Sequence, residues 1–286
     1  MKYFLAALVV QIFSFNVIAE KIKSQIHSID IGQKREAHLV KLTSGRVAFI
    51  DYKESLLLKE MQKNLQDKKW LELTLGENSV LKKSKVIANQ FRPLSEGEPE
   101  EPYIPSVISY ATAKSIFNKM RKDYRNESQC FNRAHIWTYE EFQRSETYLN
   151  KVFLFFTSSY IRNHRYHWWF HVTPMALVGG RKFSHWRMLD RRYTHGPLSP
   201  KTWTDIFIFT KRACKVVTKY STYENNQRSQ DCYLIEASMY YLVPSDLKRL
   251  EADSLARTSF EEIEVEYALW EAFTTQSPPE YLPLSN

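Results

Sequence analysis

The stretch RPLSEGEPEEPYIP, residues 92–105, does more than any other to limit what this 286-residue chain can fold into. Four prolines and four glutamates crowd into it, and neither a helical nor a strand period survives there. Such a segment reads as an extended, exposed linker. The chain is therefore expected to divide into an N-terminal module over residues 20–91 and a larger domain over residues 106–286.

Ahead of the module, MKYFLAALVVQIFSFNVIAEK carries one cation at Lys2, an apolar run from Tyr3 to Phe15, and small-residue cleavage positions at Val17 and Ala19. That pattern predicts a signal peptide over residues 1–19 and a secreted or periplasmic product, with a non-cleaved anchor as the alternative. The run is shorter than the roughly 20 residues a membrane span needs, and no later segment supplies one, so stable membrane insertion is not expected. Cleavage takes one lysine from the 40 basic residues and none of the 32 acidic ones, leaving a mild basic excess. No block of five or six like charges appears, and nucleic acid is not an expected partner. The module itself reads as a small α+β unit. HLVKLTSGRVAFID (38–51) has the alternation of a hairpin turning at Ser44-Gly45, KESLLLKEMQKNLQ (53–66) has helical spacing, and WLELTL and SVLKKSKVI alternate again. It contains no cluster of catalytic residue types.

Beyond the linker, ISYATAKSIFNKMRK (108–122) repeats apolar residues at helical intervals and ends in basic residues. DYRNESQ breaks that helix, and Asn126 or Ser128 can cap the next, which places Cys130 in its first turn. Unpaired backbone N–H groups and the positive end of the helix dipole favour a thiolate there, the position at which a cysteine pKa would be lowered. A cysteine in a helix is more often a small buried hydrophobe. Cysteine arithmetic counts against that bland assignment. In an oxidising compartment Cys214 and Cys232 can close a loop worth about 3 kcal/mol, leaving Cys130 as the odd thiol, either reactive or paired between molecules.

A nucleophilic thiol needs a base and a group to orient it. Two apolar strands in RYHWWFHVTPMALVGGRKFSHWRMLDRRY (165–193) flank Gly179-Gly180. A four-residue turn at 179–182 would set His171 directly opposite Asp190, close enough for the carboxylate to hold the imidazole. Each residue has a plainer reading. His164, His167 and His171 are conceivable metal ligands, but the WWF insertion and the absence of an HExxH pattern count against a helical pair, so no metal and no cofactor is expected. His135 fits packing or a buried hydrogen bond, Asp190 could pair with Arg191 or Arg192, and Tyr166, Trp168, Trp169 and Phe170 fit a core, with part of the cluster free to wall a cleft.

The order Cys130, His171, Asp190, in the local contexts CFNRAH, FHV and LDRRYTHGPLSPKTW, resembles the protein-glutaminase family of secreted bacterial deamidases over roughly residues 106–245. The resemblance implies that Cys130 is the nucleophile, His171 the base and Asp190 its partner, although the family often continues Asp-Pro where this chain has Asp190-Arg191. It implies a Cys214–Cys232 disulfide, since the family's cysteine after its Gly-Pro…Trp segment resembles Cys214. It also implies that the N-terminal module is a pro-segment covering the active site, with the linker as its processing site for an activating protease. The implied activity is hydrolysis of glutamine side-chain amides in proteins with exposed glutamines, through a Cys130 thioester.

Three readings compete with it. A transglutaminase-like enzyme would pass the same acyl group to a lysine amine. A cysteine protease uses the same residue types, but the CGSCW-type context is absent. A non-enzymatic envelope binding protein would simply pack Cys130. The fold expected is α+β, a Cys-bearing helix on an antiparallel sheet preceded by the small α+β module, with FEEIEVEYALWEAF (260–273) as a late helix and SPPEYLPLSN as a loose tail.

Overall fold

A computed structural model of the chain describes residues 19–88, 103–253, 257 and 259–273. Residues 1–18 of the expected signal peptide, residues 89–102 of the linker region and the expected tail lie outside the described residues. No described helix is long and apolar enough to cross a membrane.

The N-terminal part folds as β1 (Glu20–Asp30), β2 (His38–Leu42), β3 (Val47–Ile50), α1 (Ser55–Gln66), β4 (Trp70–Leu75) and β5 (Leu81–Ile87). The strands form one antiparallel sheet in the order β3-β2-β1-β4-β5. The hairpin forms as its alternation predicts, with Lys41 opposite Val47. In β4, Leu71, Leu73 and Leu75 point inward onto Met61 of α1, the period-2 face meeting the helical one. The central strand β1 is the element with the weakest sequence signal. Of its inward positions only Ile22 and Ile26 are apolar, and Ser24 is buried between them.

The larger part runs β6 (Val107–Ile108), α2 (Tyr110–Lys119), α3 (Cys130–Ser145), β7 (Asn150–Phe156), α4 (Ser158–His164), β8 (Phe170–Val178), β9 (Trp186–Met188), α5 (Pro200–Phe207), β10 (Lys215–Val216), α6 (Tyr220–Glu224), β11 (Cys232–Ser238), α7 (Pro244–Asp253) and α8 (Glu262–Ala272). Its sheet has the order β10-β11-β7-β8-β6, with β9 paired to β8. The centre is antiparallel, and the short edge strands β6 and β10 run parallel to their neighbours. The fold is thus α+β, as the sequence predicts. All seven residues of β7 are buried, so this strand is the middle of the core and shows no polar alternation. The Cys-bearing helix α3 packs on β8 and on α8. Cys214 and Cys232 form a disulfide, which ties the chain entering β10 to the start of β11.

The two parts share one core. Leu39, Val47 and Phe49 of the N-terminal sheet join the aromatic cluster of the larger part. Backbone bonds stitch the hairpin turn to the segment leading into β8. Val47 N–H donates to His167 O at 3.1 Å, Trp169 N–H to Gly45 O at 2.9 Å, and the Trp169 indole to Leu42 O at 2.7 Å. Gly45 has φ +85°, and a Cβ there would stand 3.1 Å from the Phe170 ring, so both turn and contact call for glycine. The buried Lys41 ammonium donates to Tyr223 Oη and Gln227 Oε1, and burial lowers its pKa to about 8.

Candidate active site

Cys130 is the first residue of α3, and its side chain is buried. Neither Asn126 nor Ser128 caps the helix, contrary to the sequence reading. Gln129 occupies the cap position without a side-chain cap bond, while the Glu271 carboxylate of α8 accepts from Gln129 N–H at 2.9 and 3.1 Å and from Asn132 Nδ2 at 2.8 Å. A carboxylate from a distant helix thus does the work that sequence assigns to a neighbouring side chain.

His171, the second residue of β8, lines the same cleft as Cys130, which favours the charged form of its ring. On its other side Nε2 donates to Asp190 Oδ2 at 2.7 Å, which leaves Nδ1 for the thiol. His171 and Asp190 are not directly opposed, however. The ladder pairs Met175 with Met188, Ala176 with Arg187 and Leu177 with Trp186, two positions away from the expected register, and β9 ends before Asp190. The reason is the loop. Phe183–His185 folds into a short 3-10 turn, so the four-residue turn expected at 179–182 does not form. A slip of two keeps every side chain on its face, whereas a slip of one would have turned Asp190 away.

The Trp203 indole of α5 donates to the same Asp190 oxygen at 2.9 Å, so Asp190 is fixed from two directions. Burial alone would push Asp190 up, but the His171 charge and the bonds from His171 and Trp203 hold it below the usual carboxylate range. Burial likewise works against a charged His171. The Asp190 charge and hydrogen bond, with Cys130 beyond, outweigh it and raise His171 to about 9. Because this pKa lies above the ordinary value of 6.5, the pairing favours the fold fully below about pH 6.5 and is lost as pH rises through about 9. Phe207 and Tyr193 lie against the ring at 4.7 and 5.3 Å between centroids.

The other histidines go elsewhere. His164 packs on Tyr160 and Phe209, and His167 Nδ1 lies 2.6 Å from Ser79 Oγ of the N-terminal part. His135 is buried and bonds to Lys151 Nζ at 2.7 Å, as its spacing from Cys130 predicts. Among the described residues no three His, Cys, Asp or Glu side chains group as metal ligands. Arg191 covers Phe117 and Arg192 donates to the carbonyls of Arg125 and Asn126, so neither takes Asp190. Trp169 and Phe170 are core residues, while Tyr166 and Trp168 wall a cleft of about 900 Å³. Cys130 and His171 line that cleft, and so do Lys21, Lys23 and Arg46 of the N-terminal part.

Sequence reasoning missed Trp203, Glu271 and Arg133, which lines the cleft one turn after Cys130. Trp203 follows Ser199-Pro200, a helix-start signal that locates α5 without revealing what its indole bonds. Glu271 sits 141 positions from Cys130, and no local pattern connects the two.

Residues 106–207 match the model of a family described as Glutaminase, in agreement with the resemblance read from the motifs. No curated protein sequence matches the chain. Among solved structures, the chain is similar to the crystal structure of a mutant of pro-protein-glutaminase, with a TM-score of 0.50 at 14% identity over 92% of this chain and 98% of that one. It is also similar to a crystal structure of pro-protein-glutaminase, with a TM-score of 0.48 at 13% identity over 93% and 97%. The NMR structure of protein-glutaminase from Chryseobacterium proteolyticum aligns with a TM-score of 0.34 at 13% identity, over 61% and 95%. The first of these likenesses shows a common fold.

Proposed function

We propose that the chain is a secreted protein-glutamine deamidase, hydrolysing glutamine side-chain amides in proteins to glutamate and ammonia. The observation that carries this reading is Cys130, buried at the head of α3, sharing one cleft with a His171 that is bonded to the buried Asp190. The match of residues 106–207 to a glutaminase family supports the reaction class.

The steps follow from the positions. Cys130 Sγ, having passed its proton to His171, attacks the carboxamide carbon of a glutamine side chain. The resulting oxyanion is met by the backbone N–H of Cys130 at the helix N-terminus. His171 returns the proton to the departing ammonia, leaving a thioester, and then takes a proton from water as the water attacks it. Asp190, fixed by Trp203, keeps the ring's Nδ1 turned to the sulfur and stabilises the imidazolium.

Residues 20–91 act as a pro-segment in this reading, since Lys21, Lys23 and Arg46 rim the cleft that a substrate must enter. The disulfide and the N-terminal apolar run support export. The test is incubation of the chain, intact and cut within 92–105, with a glutamine-rich protein. Ammonia release with a mass gain of about one unit per site, absent in Cys130→Ala, is expected, with a larger yield after cutting. Crosslinked substrate without free acid product, or new N-termini, would replace the reading with amine transfer or proteolysis.

A further inference from the structure

Arg133 is a buried cation with no ion-pair partner among the described residues. Only 3% of it is exposed, one guanidinium NH donates to Ser128 O and, at 2.8 Å, to Ser128 Oγ, and Nε has no partner. Both acceptors are neutral, and no carboxylate among the described residues lies within ion-pair distance of it. A buried charge left that way costs several kcal/mol unless something balances it. The residue stands three positions after Cys130, on the same face of α3, and both side chains line the one cleft.

Proton transfer from Cys130 to His171 turns a thiol and an imidazole into a thiolate and an imidazolium. The new positive charge forms beside Asp190. The new negative charge forms on the side of Arg133, whose charge is disfavoured by burial, supported by Cys130, opposed by Arg192 and supported again by Asp190. The buried site then reads Arg133 positive, Cys130 negative, His171 positive, Asp190 negative, with each new charge next to a resident opposite one. We propose that Arg133 is the resident counter-charge of the Cys130 thiolate, an electrostatic positioning residue that holds the negative end of the ion pair as Asp190 holds the positive end. The other charged or titratable groups around the sulfur act less directly. Glu271 of α8 feels the Arg133 charge but is bonded to Gln129 N–H and Asn132, Arg192 donates to two backbone carbonyls, Tyr193 lies against the imidazole, and Lys21 and Lys23 line the cleft from the N-terminal part.

The test reads the thiol itself, so it succeeds or fails whether or not glutamine is the substrate. Iodoacetamide can alkylate only Cys130, because Cys214 and Cys232 are joined. The rate at about pH 6 divided by the rate at about pH 10 reports how much thiolate is present below the ordinary thiol range. In Arg133→Gln this ratio is expected to fall about tenfold, and in Arg133→Lys, which keeps the charge, to stay within about threefold of the unaltered chain. An unchanged ratio in Arg133→Gln overturns the proposal, and so does an equal fall in both variants, which would make the residue a packing element. If Arg133→Gln fails to fold, Arg133→Met, which keeps the stem and removes the charge, is read by the same ratio, and an unchanged ratio there overturns the proposal.

Discussion

The two sheets bury different chemistry. The inner core of the N-terminal sheet, from Ile22 through Leu42 and Met61 to Leu81, is aliphatic, with no aromatic side chain in its buried cluster. The core of the larger part is built from rings such as Phe153, Phe155, Trp169 and Trp203, and it encloses Arg133, His135, Lys151, His171, Asp190 and Glu264. An aliphatic core asks only for volume and period. Buried ionisable groups must be paired, shifted or used, and so mark where a fold departs from stability alone. The buried lysine of the N-terminal sheet, Lys41, obeys the same logic, because it points out of its own sheet into the larger part's Tyr223 and Gln227.

The sharpest way to break this contrast is to remove one charge without changing volume. Asp190→Asn should lower turnover of a glutamine-bearing protein on the order of 10⁴-fold, since the amide can present the wrong partner to Nε2, and should cost about 3 kcal/mol of stability below about pH 6.5 because the His171 charge loses its partner. A fall in turnover no larger than the loss of folded protein would make Asp190 a structural charge. The matching substitution on the aliphatic side, Leu73→Ala, should cost stability alone, about 2–5 kcal/mol, without touching Cys130 alkylation.

Acid should separate the two parts before it unfolds either. His27 of β1 stacks on Trp169 at 4.4 Å and bonds to Tyr220 Oη at 2.9 Å. Burial, then Lys41, then Lys248 lower its pKa to about 3, and Lys248 is itself partly answered by Glu224 at 2.8 Å. The docked form therefore refuses a proton that the released form takes at about pH 6.5. Docking is at full strength above pH 6.5 and weakens as pH falls toward about 3, by about 1.4 kcal/mol per unit. Hydrogen exchange at the Trp169 amide, which donates to Gly45 O, should accelerate between about pH 7 and pH 4 beyond the intrinsic trend and beyond amides inside β7. Uniform behaviour of the two sites would mean that the sheets release as one body.

A smaller effect is expected at the contact point itself. Gly45→Ala places a Cβ 3.1 Å from Phe170 at a φ of +85°, costing about 1–2 kcal/mol in strain and displaced packing. The same exchange experiment should show faster opening at Trp169 at neutral pH, with the uncut chain gaining activity if the N-terminal part restrains the cleft.

Most of the N-terminal sheet was legible because its signals are local: a Gly-containing turn, a helical period, two alternating strands. Only β1 escaped, since Ser24 takes the inward position between Ile22 and Ile26 and interrupts the apolar half of its period. In the larger part the candidate residues Cys130, His171 and Asp190 are named from type, order and context, and the structure bonds His171 to Asp190 and sets His171 in one cleft with Cys130. Their supports are not. The register depends on a 3-10 turn at Phe183–His185 that no period announces, the cap of α3 comes from Glu271, and β7 buries both faces and so hides its strand period. What sequence conceals here is long-range polar pairing, because a hydrogen bond between distant residues leaves no trace in the spacing of either.

Trp203 gives that distinction its finest test. Its indole N–H is the second donor to Asp190 Oδ2, and the ring is fully buried and tilted against His171 at 5.7 Å. Trp203→Phe deletes the donor and part of the ring, leaving a small void. If the bond matters only for packing, stability should fall by about 1–3 kcal/mol with turnover unchanged per folded molecule. If Trp203 fixes the carboxylate that fixes the imidazole, kcat should also fall about five- to tenfold with KM unaltered. In addition, the pH above which His171 loses its proton, about 9 in the intact site, should move. Losing a donor to Asp190 makes the carboxylate a stronger acceptor for His171, so that limb should shift upward, a direction that simple loosening of the core would not produce.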